Sequence, residues 1–262
     1  MNNRKFISAI IPIFNEEKTI AKIIKTLLKS DLIDEVVCVN DGSTDQSLTI
    51  LKNFKNKIKL VNLKKNQGKG FALVEGIKKA KGEIIFFIDA DLTTFSHDHI
   101  QTLLEPVLKN KFRVVLGYPA NPTGKWYRPN IFQNLTGERV YYKKDLIPYL
   151  KKMAKTRFGV EIFLNDLFNQ KEIKKIPLKH LISLYKYEKR NPKNAFKEYL
   201  EEAVEIARAI GRREGLLPMD KQIIDKLAKI TDFDEFKKKI SKLRSKQIKQ
   251  FFEKFILKYI KI

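Results

Sequence analysis

Four short apolar runs, separated by stretches of helical spacing and each closing on polar turn residues, constrain this chain more than any other feature. The runs are Phe6–Phe14, Glu35–Asn40, Ile58–Asn62 and Glu83–Asp89. They are short for buried helices and rich in Ile, Val and Phe, as strands covered on both faces are. Between the first two, Glu17–Leu28 places Ile20, Ile23, Ile24, Leu27 and Leu28 on one helical face. A second helix opens near Thr44 and Asp45, both N-cap residues, and a third covers Gly70–Ala80. Strands alternating with helices of this length predict an α/β fold with a mostly parallel three-layer sheet.

Beyond Asp91 the alternation loosens. A helix is expected over Asp98–Leu108 and a strand over Arg113–Tyr118, then a long irregular loop, Pro119–Asn134, that holds Trp126. Helical segments follow near Lys143–Lys155 and Val160–Asn169. From about Asn194 only helices are expected: Ala195–Arg212, Met219–Ile230 and one from about Asp234 to Ile262. Two domains are therefore expected, a catalytic one over 1–190 and a helical extension over 191–262.

The net charge of +23 admits nucleic acid, an anionic membrane or phosphorylated substrates as partners. The basic residues are spread along the whole chain without a recognition module, so no nucleic-acid partner is expected. Cys38 is the single cysteine and falls inside an expected strand, which excludes an internal disulfide framework. With neither a secretory signal nor an apolar stretch of about 18 residues, a cytoplasmic location is expected.

Chemistry concentrates where the runs end. Asp89-Ala90-Asp91 follows Ile84-Ile85-Phe86-Phe87-Ile88 and offers two carboxylates at the carboxyl end of a strand, where open α/β sheets bind ligands. Side chains two apart in a strand face the same way, and hard oxygen donors suit Mg²⁺ or Mn²⁺ bridging to phosphates. The first run ends in Pro12-Ile13-Phe14-Asn15-Glu16 and the second in Asn40-Asp41-Gly42-Ser43-Thr44-Asp45. Gly68-Lys69-Gly70 precedes a helix, and its glycines let backbone approach a ligand while Lys69 offers charge to a phosphate. It is neither a Walker loop nor a dinucleotide fingerprint.

These four segments together resemble family 2-type glycosyltransferases with the GT-A fold, the three-layer sheet of nucleotide-diphospho-sugar transferases. The resemblance covers residues 5–120 well and 120–190 more loosely. It implies a nucleoside-diphosphate sugar as donor and Mg²⁺ or Mn²⁺ as cofactor. Pro12, Phe14, Asn15 and Glu16 would wall the nucleotide pocket, Asp41 would hold the base, and Gly68, Lys69, Asp89 and Ala90 would line the nucleotide-sugar site. Asp91 would ligate the cation, with Asp89 beside it.

Downstream, Leu135-Thr136-Gly137-Glu138-Arg139 and Phe158-Gly159-Val160-Glu161 are similar to acceptor-side motifs of enzymes that make glucosyl-3-phosphoglycerate and of polyprenyl-phosphate glycosyltransferases. This similarity implies a phosphorylated acceptor, either a small molecule or a lipid. It places Glu161 near the transferred sugar and His180 in the metal shell, with His97 and His99 as alternatives that otherwise begin a helix. Glu138 and Glu161 are the candidate bases for an inverting reaction. Arg128, Arg139 and Arg157, with Thr136 and Gly137, are candidate acceptor contacts.

Two other functions compete, a sugar-nucleotide nucleotidyltransferase and a non-catalytic nucleotide- or nucleic-acid-binding protein. The first opens with a glycine-rich loop that Ile10–Glu17 lacks, and the second has no use for Asp91. The C-terminal segment raises a further expectation. Ile240, Leu243, Ile248, Phe251, Phe252, Phe255, Ile256, Tyr259 and Ile260 form an apolar helical stripe, and residues 237–262 hold ten basic residues against one acid. Such a helix either packs on protein or lies on an anionic membrane surface.

Overall fold

The computed structural model describes residues 4–120, 135–184, 192–215, 217–227, 229–230 and 233–259. The chain forms two compact units, Met1–Leu184 and Tyr185–Ile262. The division falls just before the expected boundary near 190, because 182–184 are held to the first unit. Leu92 and Ser183 form an isolated bridge, and the Leu184 amide donates to the Asp91 carbonyl at 2.9 Å.

The first unit is built on one sheet of seven strands: β1 (Ile7–Ile13), β2 (Glu35–Asp41), β3 (Lys59–Leu63), β4 (Ile84–Phe87), β5 (Val114–Ala120), β6 (Arg139–Tyr142) and β7 (Ile173–Lys179). Their order is β3-β2-β1-β4-β6-β5-β7. The first four run parallel, as the alternation requires. β6 is antiparallel to both its neighbours, and β7 pairs with β5 in parallel. Helices α1 (Ile20–Leu28), α2 (Ser47–Lys52), α3 (Lys69–Lys79), α4 (His97–Leu108), α5 (Lys143–Leu146), α6 (Leu150–Met153) and α7 (Val160–Asn165) complete the unit.

Strand alternation divides the core into two layers. Ala9, Ile11, Cys38 and Phe86 join Ile20, Ile24, Leu103 and Leu104 on the face covered by α1 and α4. Ile10, Val39, Ile85 and Phe87 join Leu73, Ile77, Met153 and Val160 on the face covered by α3, α6 and α7. Both faces of β1 and β4 are thus dry, which is why those strands read as unbroken apolar runs.

Several expectations are corrected. β4 stops at Phe87, so Asp89-Ala90-Asp91 lies in the turn beyond the strand and the alternation rule does not orient it. β6 and β7 fall on residues for which no strand was expected: β6 has four residues, and β7 carries three lysines and Pro177 at the sheet edge, where such residues discourage further pairing. The segment read as one helix over Lys143–Lys155 is α5, a 3₁₀ turn and α6. Residues 121–134, with Trp126 and Arg128, lie outside the described residues.

The second unit consists of α8 (Pro192–Glu214), α9 (Pro218–Leu227), α10 (Phe233–Ile240) and α11 (Lys246–Tyr259). The last expected helix is therefore two. The break is explained by Asp220, a fully buried carboxylate that accepts from the amides of Arg244 at 2.8 Å and Ser245 at 2.7 Å. Those two amides are bound by a side chain instead of a preceding helical carbonyl. The apolar stripe turns inward: Ile240, Leu243, Ile248, Phe251 and Phe252 are buried, and Phe252 packs edge-on against Phe236 and Phe251. This part of the stripe is not available to a bilayer. Among the described residues no helix is long and apolar enough to cross a membrane.

Asp220→Ala leaves two half-buried amides without their acceptor and is expected to destabilise the helical unit by about 1–3 kcal/mol. Urea unfolding followed by far-ultraviolet circular dichroism measures this; an unshifted midpoint contradicts the role given to Asp220.

Candidate active site at the carboxyl ends of the central strands

Because β1, β2 and β4 run parallel, the turns that follow them emerge along one edge of the sheet. Ile13 lies beside Asn40 in the register, and the Ile88 amide reaches the Ile10 carbonyl at 3.1 Å. Polar side chains then stitch the turns together. Asn15 adopts a left-handed backbone, φ 59°, and its side-chain oxygen accepts from the amides of Thr44 at 2.7 Å and Asp45 at 3.3 Å. The amides of Asn15 and Glu16 donate to the hydroxyls of Ser43 and Ser47. The Thr19 hydroxyl donates to the Ala90 carbonyl at 2.6 Å, which fixes the acidic turn to the start of α1. Pro12, Phe14, Asn15 and Glu16 are half-buried along this edge.

Asp41 is 3% exposed and accepts from the amides of Gln67 at 2.7 Å and Gly68 at 2.9 Å. Burial pushes its carboxyl up, against the pull of those two amides and the Arg157 charge. Its role is thus first internal: it shapes the loop that presents Lys69. Each of its oxygens keeps a second lone pair for a ligand. Gly68, at φ 92°, and Gly70 admit neighbours no side chain would allow. A Cβ at 68 would lie 2.8 Å from the Arg157 Cγ, and one at 70 would lie 2.4 Å from the Thr156 hydroxyl.

Lys69 sits at the centre. Its Nζ lies 2.6 Å from Asp89 Oδ1 and 2.6 Å from Glu161 Oε1, so one ammonium joins the start of α3, the turn after β4 and the start of α7. Burial by itself lowers the affinity of this amine for its proton; the two carboxylates outweigh it and hold Lys69 above the usual lysine range. The Asp89 carboxylate in turn lies flat against Gly137, where a Cβ would come within 2.1 Å of it.

Glu138 follows Gly137 and is 3% exposed. One oxygen accepts from the Thr136 hydroxyl, while Oε1 is buried without a hydrogen-bond partner. Burial, then the Asp89 charge, pushes its carboxyl up to about 7; Thr136 and Lys69 oppose the rise and Asp91 adds to it. Three acids and one ammonium therefore feel one another here. Arg139 is the main correction to the expected acceptor contacts. It is 1% exposed, and its guanidinium is committed to the Thr136 carbonyl at 2.5 Å, the Asn165 side chain at 2.9 Å and the Tyr141 hydroxyl at 3.1 Å. It ties the Gly137 turn to α7 and does not face an acceptor. Sequence reading missed this function because nothing in Glu138-Arg139 marks the arginine as inward.

The donor set suits a divalent cation with conditions. Asp89, Asp91 and the unpartnered Glu138 oxygen are hard donors, and Mg²⁺ keeps several waters and phosphate oxygens beside one or two carboxylates. Among the described residues, no three His, Cys, Asp or Glu side chains form a ready cation cage. His180 is exposed, at φ 61°, on the segment hydrogen-bonded to 92–94 beside the acidic turn. His99 is excluded: its ring takes part in the α4 capping box and lies 2.9 Å from the Lys179 carbonyl.

Gly137→Ala forces the Asp89 carboxylate off its seat and is expected to lower stability by about 1–3 kcal/mol; an unchanged thermal midpoint contradicts the contact. Glu138 gives a pH signature. The folded protein holds a proton to about pH 7 that an ordinary glutamate releases near 4.5. Its contribution to stability is therefore full below pH 4.5 and is lost as pH rises to about 7. In chelator, Glu138→Gln is expected to flatten that decline, read from urea midpoints across the interval.

Residues 8–153, more than half of the chain, match the family Glycosyl transferase family 2. An uncharacterised glycosyltransferase of Synechocystis is 40% identical over 93 residues, 33% of this chain and 29% of the relative. The poly-β-1,6-N-acetyl-D-glucosamine synthase of Staphylococcus epidermidis is 35% identical over 117 residues, 43% of this chain and 28% of that protein. The matched stretches thus span under a third of either relative. Glucosyl-3-phosphoglycerate synthase from Mycobacterium tuberculosis, crystallised with Mn²⁺, uridine diphosphate and phosphoglyceric acid, is similar with a TM-score of 0.63 at 21% identity, over 81% of this chain and 80% of that one. The shared architecture is the GT-A fold. Because that family matches more than half of its residues, the chain belongs to glycosyl transferase family 2.

Proposed function

We propose that the first unit transfers a sugar from a nucleoside-diphosphate sugar to a phosphorylated acceptor, a small molecule or a lipid, with Mg²⁺ or Mn²⁺ as cofactor. The observation that carries this reading is the Lys69 ammonium shared between Asp89 and Glu161, with the acidic turn beside it. The crystallised relative with a nucleoside diphosphate, Mn²⁺ and a phosphorylated acid supports the same donor and acceptor classes.

Asp91 and Asp89 would hold the cation. When bound, it would neutralise charge gathering on the departing diphosphate. The chain's own residues do the rest. The loop pinned by Asp41 and the turn at Asn15 and Glu16 form the walls for base and ribose. Asp89 and Glu161, aligned by the same ammonium, accept hydrogen bonds from hydroxyls of the sugar and fix its orientation. Glu161 has given one oxygen to Lys69, so it serves as an orienting group better than as a free base. Glu138 has the proton affinity of a general base near neutrality, but at 3% exposure it lies behind Gly137. Its part is to set the charge felt by Asp89. A phosphorylated acceptor is already ionised and needs no base.

Asp91→Ala is expected to reduce metal-dependent transfer by about 100-fold or more, since a cation supplies several kcal/mol of charge stabilisation. Nucleoside-diphosphate release and product formation are measured over a panel of sugar nucleotides with phosphorylated acceptors, in Mg²⁺ or Mn²⁺. Wild-type turnover in a folded Asp91→Ala protein would falsify the assignment.

A further inference from the structure

Charge in the helical unit is segregated. Between residues 197 and 207 of α8 there are four acids against one lysine, whereas residues 236–252 hold seven cations and no acid. Uniform lysine enrichment does not produce that separation. Two of the seven are matched within their own helix: Lys237 pairs with Asp234 at 3.7 Å and Lys239 with Glu235 at 2.9 Å. Lys238, Lys242, Arg244 and Lys246 remain exposed around the turn joining α10 to α11.

That turn is held from inside. The buried Asp220 carboxylate binds the Arg244 and Ser245 amides, and Leu243 and Ile248 anchor the flanking chain in the core. The cations are therefore presented on a fixed corner, and little backbone entropy is lost when they meet a partner. The same anchoring removes every described apolar side chain of the corner from the surface. Ile240, Leu243, Ile248, Phe251 and Phe252 are all buried.

We propose that the α10–α11 corner docks, by charge and without insertion, on an anionic phospholipid surface. A basic corner with no apolar wedge suits headgroup phosphates, which accept cations in any arrangement. Single-stranded nucleic acid is the less fitting partner, because its binding sites stack bases on exposed aromatic rings. Phe236, Phe251 and Phe252 all face inward. The proposal stands independently of which acceptor the first unit uses.

The full chain is sedimented with phosphatidylcholine vesicles and with vesicles carrying about 30 mol% phosphatidylglycerol, at low and at about 0.5 M salt. Binding is expected only to the anionic vesicles and is lost at high salt. Neutralising Lys242, Arg244 and Lys246 together (Lys242→Gln, Arg244→Gln, Lys246→Gln) is expected to weaken binding roughly 100-fold. The matching change at exposed Lys52, Lys55 and Lys57 (each →Gln) is expected to leave it within about threefold, because these lysines lie in the first unit. Urea midpoints check that both variants fold; should the corner triple be unstable, Lys242→Gln with Lys246→Gln is read in its place, at roughly 30-fold. Equal weakening by the control, binding to neutral vesicles, or salt-resistant binding each overturns the proposal. So does tighter binding to single-stranded RNA with the same dependence on the corner.

Discussion

An ammonium removed from water must find opposite charge, and in this protein Lys69 finds it twice, in Asp89 and in Glu161. The surrounding geometry serves that arrangement. Asp89 reaches Lys69 because position 137 is glycine, and the start of α3 approaches Thr156 and Arg157 because 68 and 70 are glycines. Arg139 holds the Gly137 turn and α7 in one place, so the two carboxylates keep their separation around the shared cation. Removing either acid leaves a part-buried charge half compensated, at a cost in stability.

The polar residues at the strand ends hold the turns of the site to one another. Asn15, Thr19 and Asp41 spend their side chains on backbone groups of neighbouring turns. The turns are thereby organised before any ligand arrives, which lowers the conformational cost of binding. Glu138 differs from those side chains, with one buried oxygen that has no hydrogen-bond partner. Burial first, and then the Asp89 charge, raises the proton affinity of that carboxyl.

Legibility varied with how far a feature depends on its neighbours along the chain. β1, β2 and β4 were legible because strands buried on both faces read as nearly continuous apolar runs. β6 and β7 were not: one is four residues long with an arginine, and the other is an edge strand whose lysines face water. Thr136, Gly137 and Glu138 were legible as chemistry from their resemblance to an acceptor motif, but their placement under Asp89 and their burial were not. The C-terminal stripe was legible as an amphipathic pattern, and its two-helix form was hidden because Asp220 lies some way upstream of the break it makes.

The order of residues by itself determined an α/β alternation, acids at the end of the β4 run, a glycine-flanked lysine before α3 and a purely helical, basic C-terminal region. These are local matters of periodicity, turn chemistry and charge count. Only the tertiary structure decided that Lys69 faces Asp89 and Glu161 at once, that Arg139 is an internal tie, and that the terminal stripe from Ile240 to Phe252 is covered by protein. Each of those depends on which distant side chain fills the space a residue points into. Close packing settles that for the whole chain together, and no pattern within one segment records it.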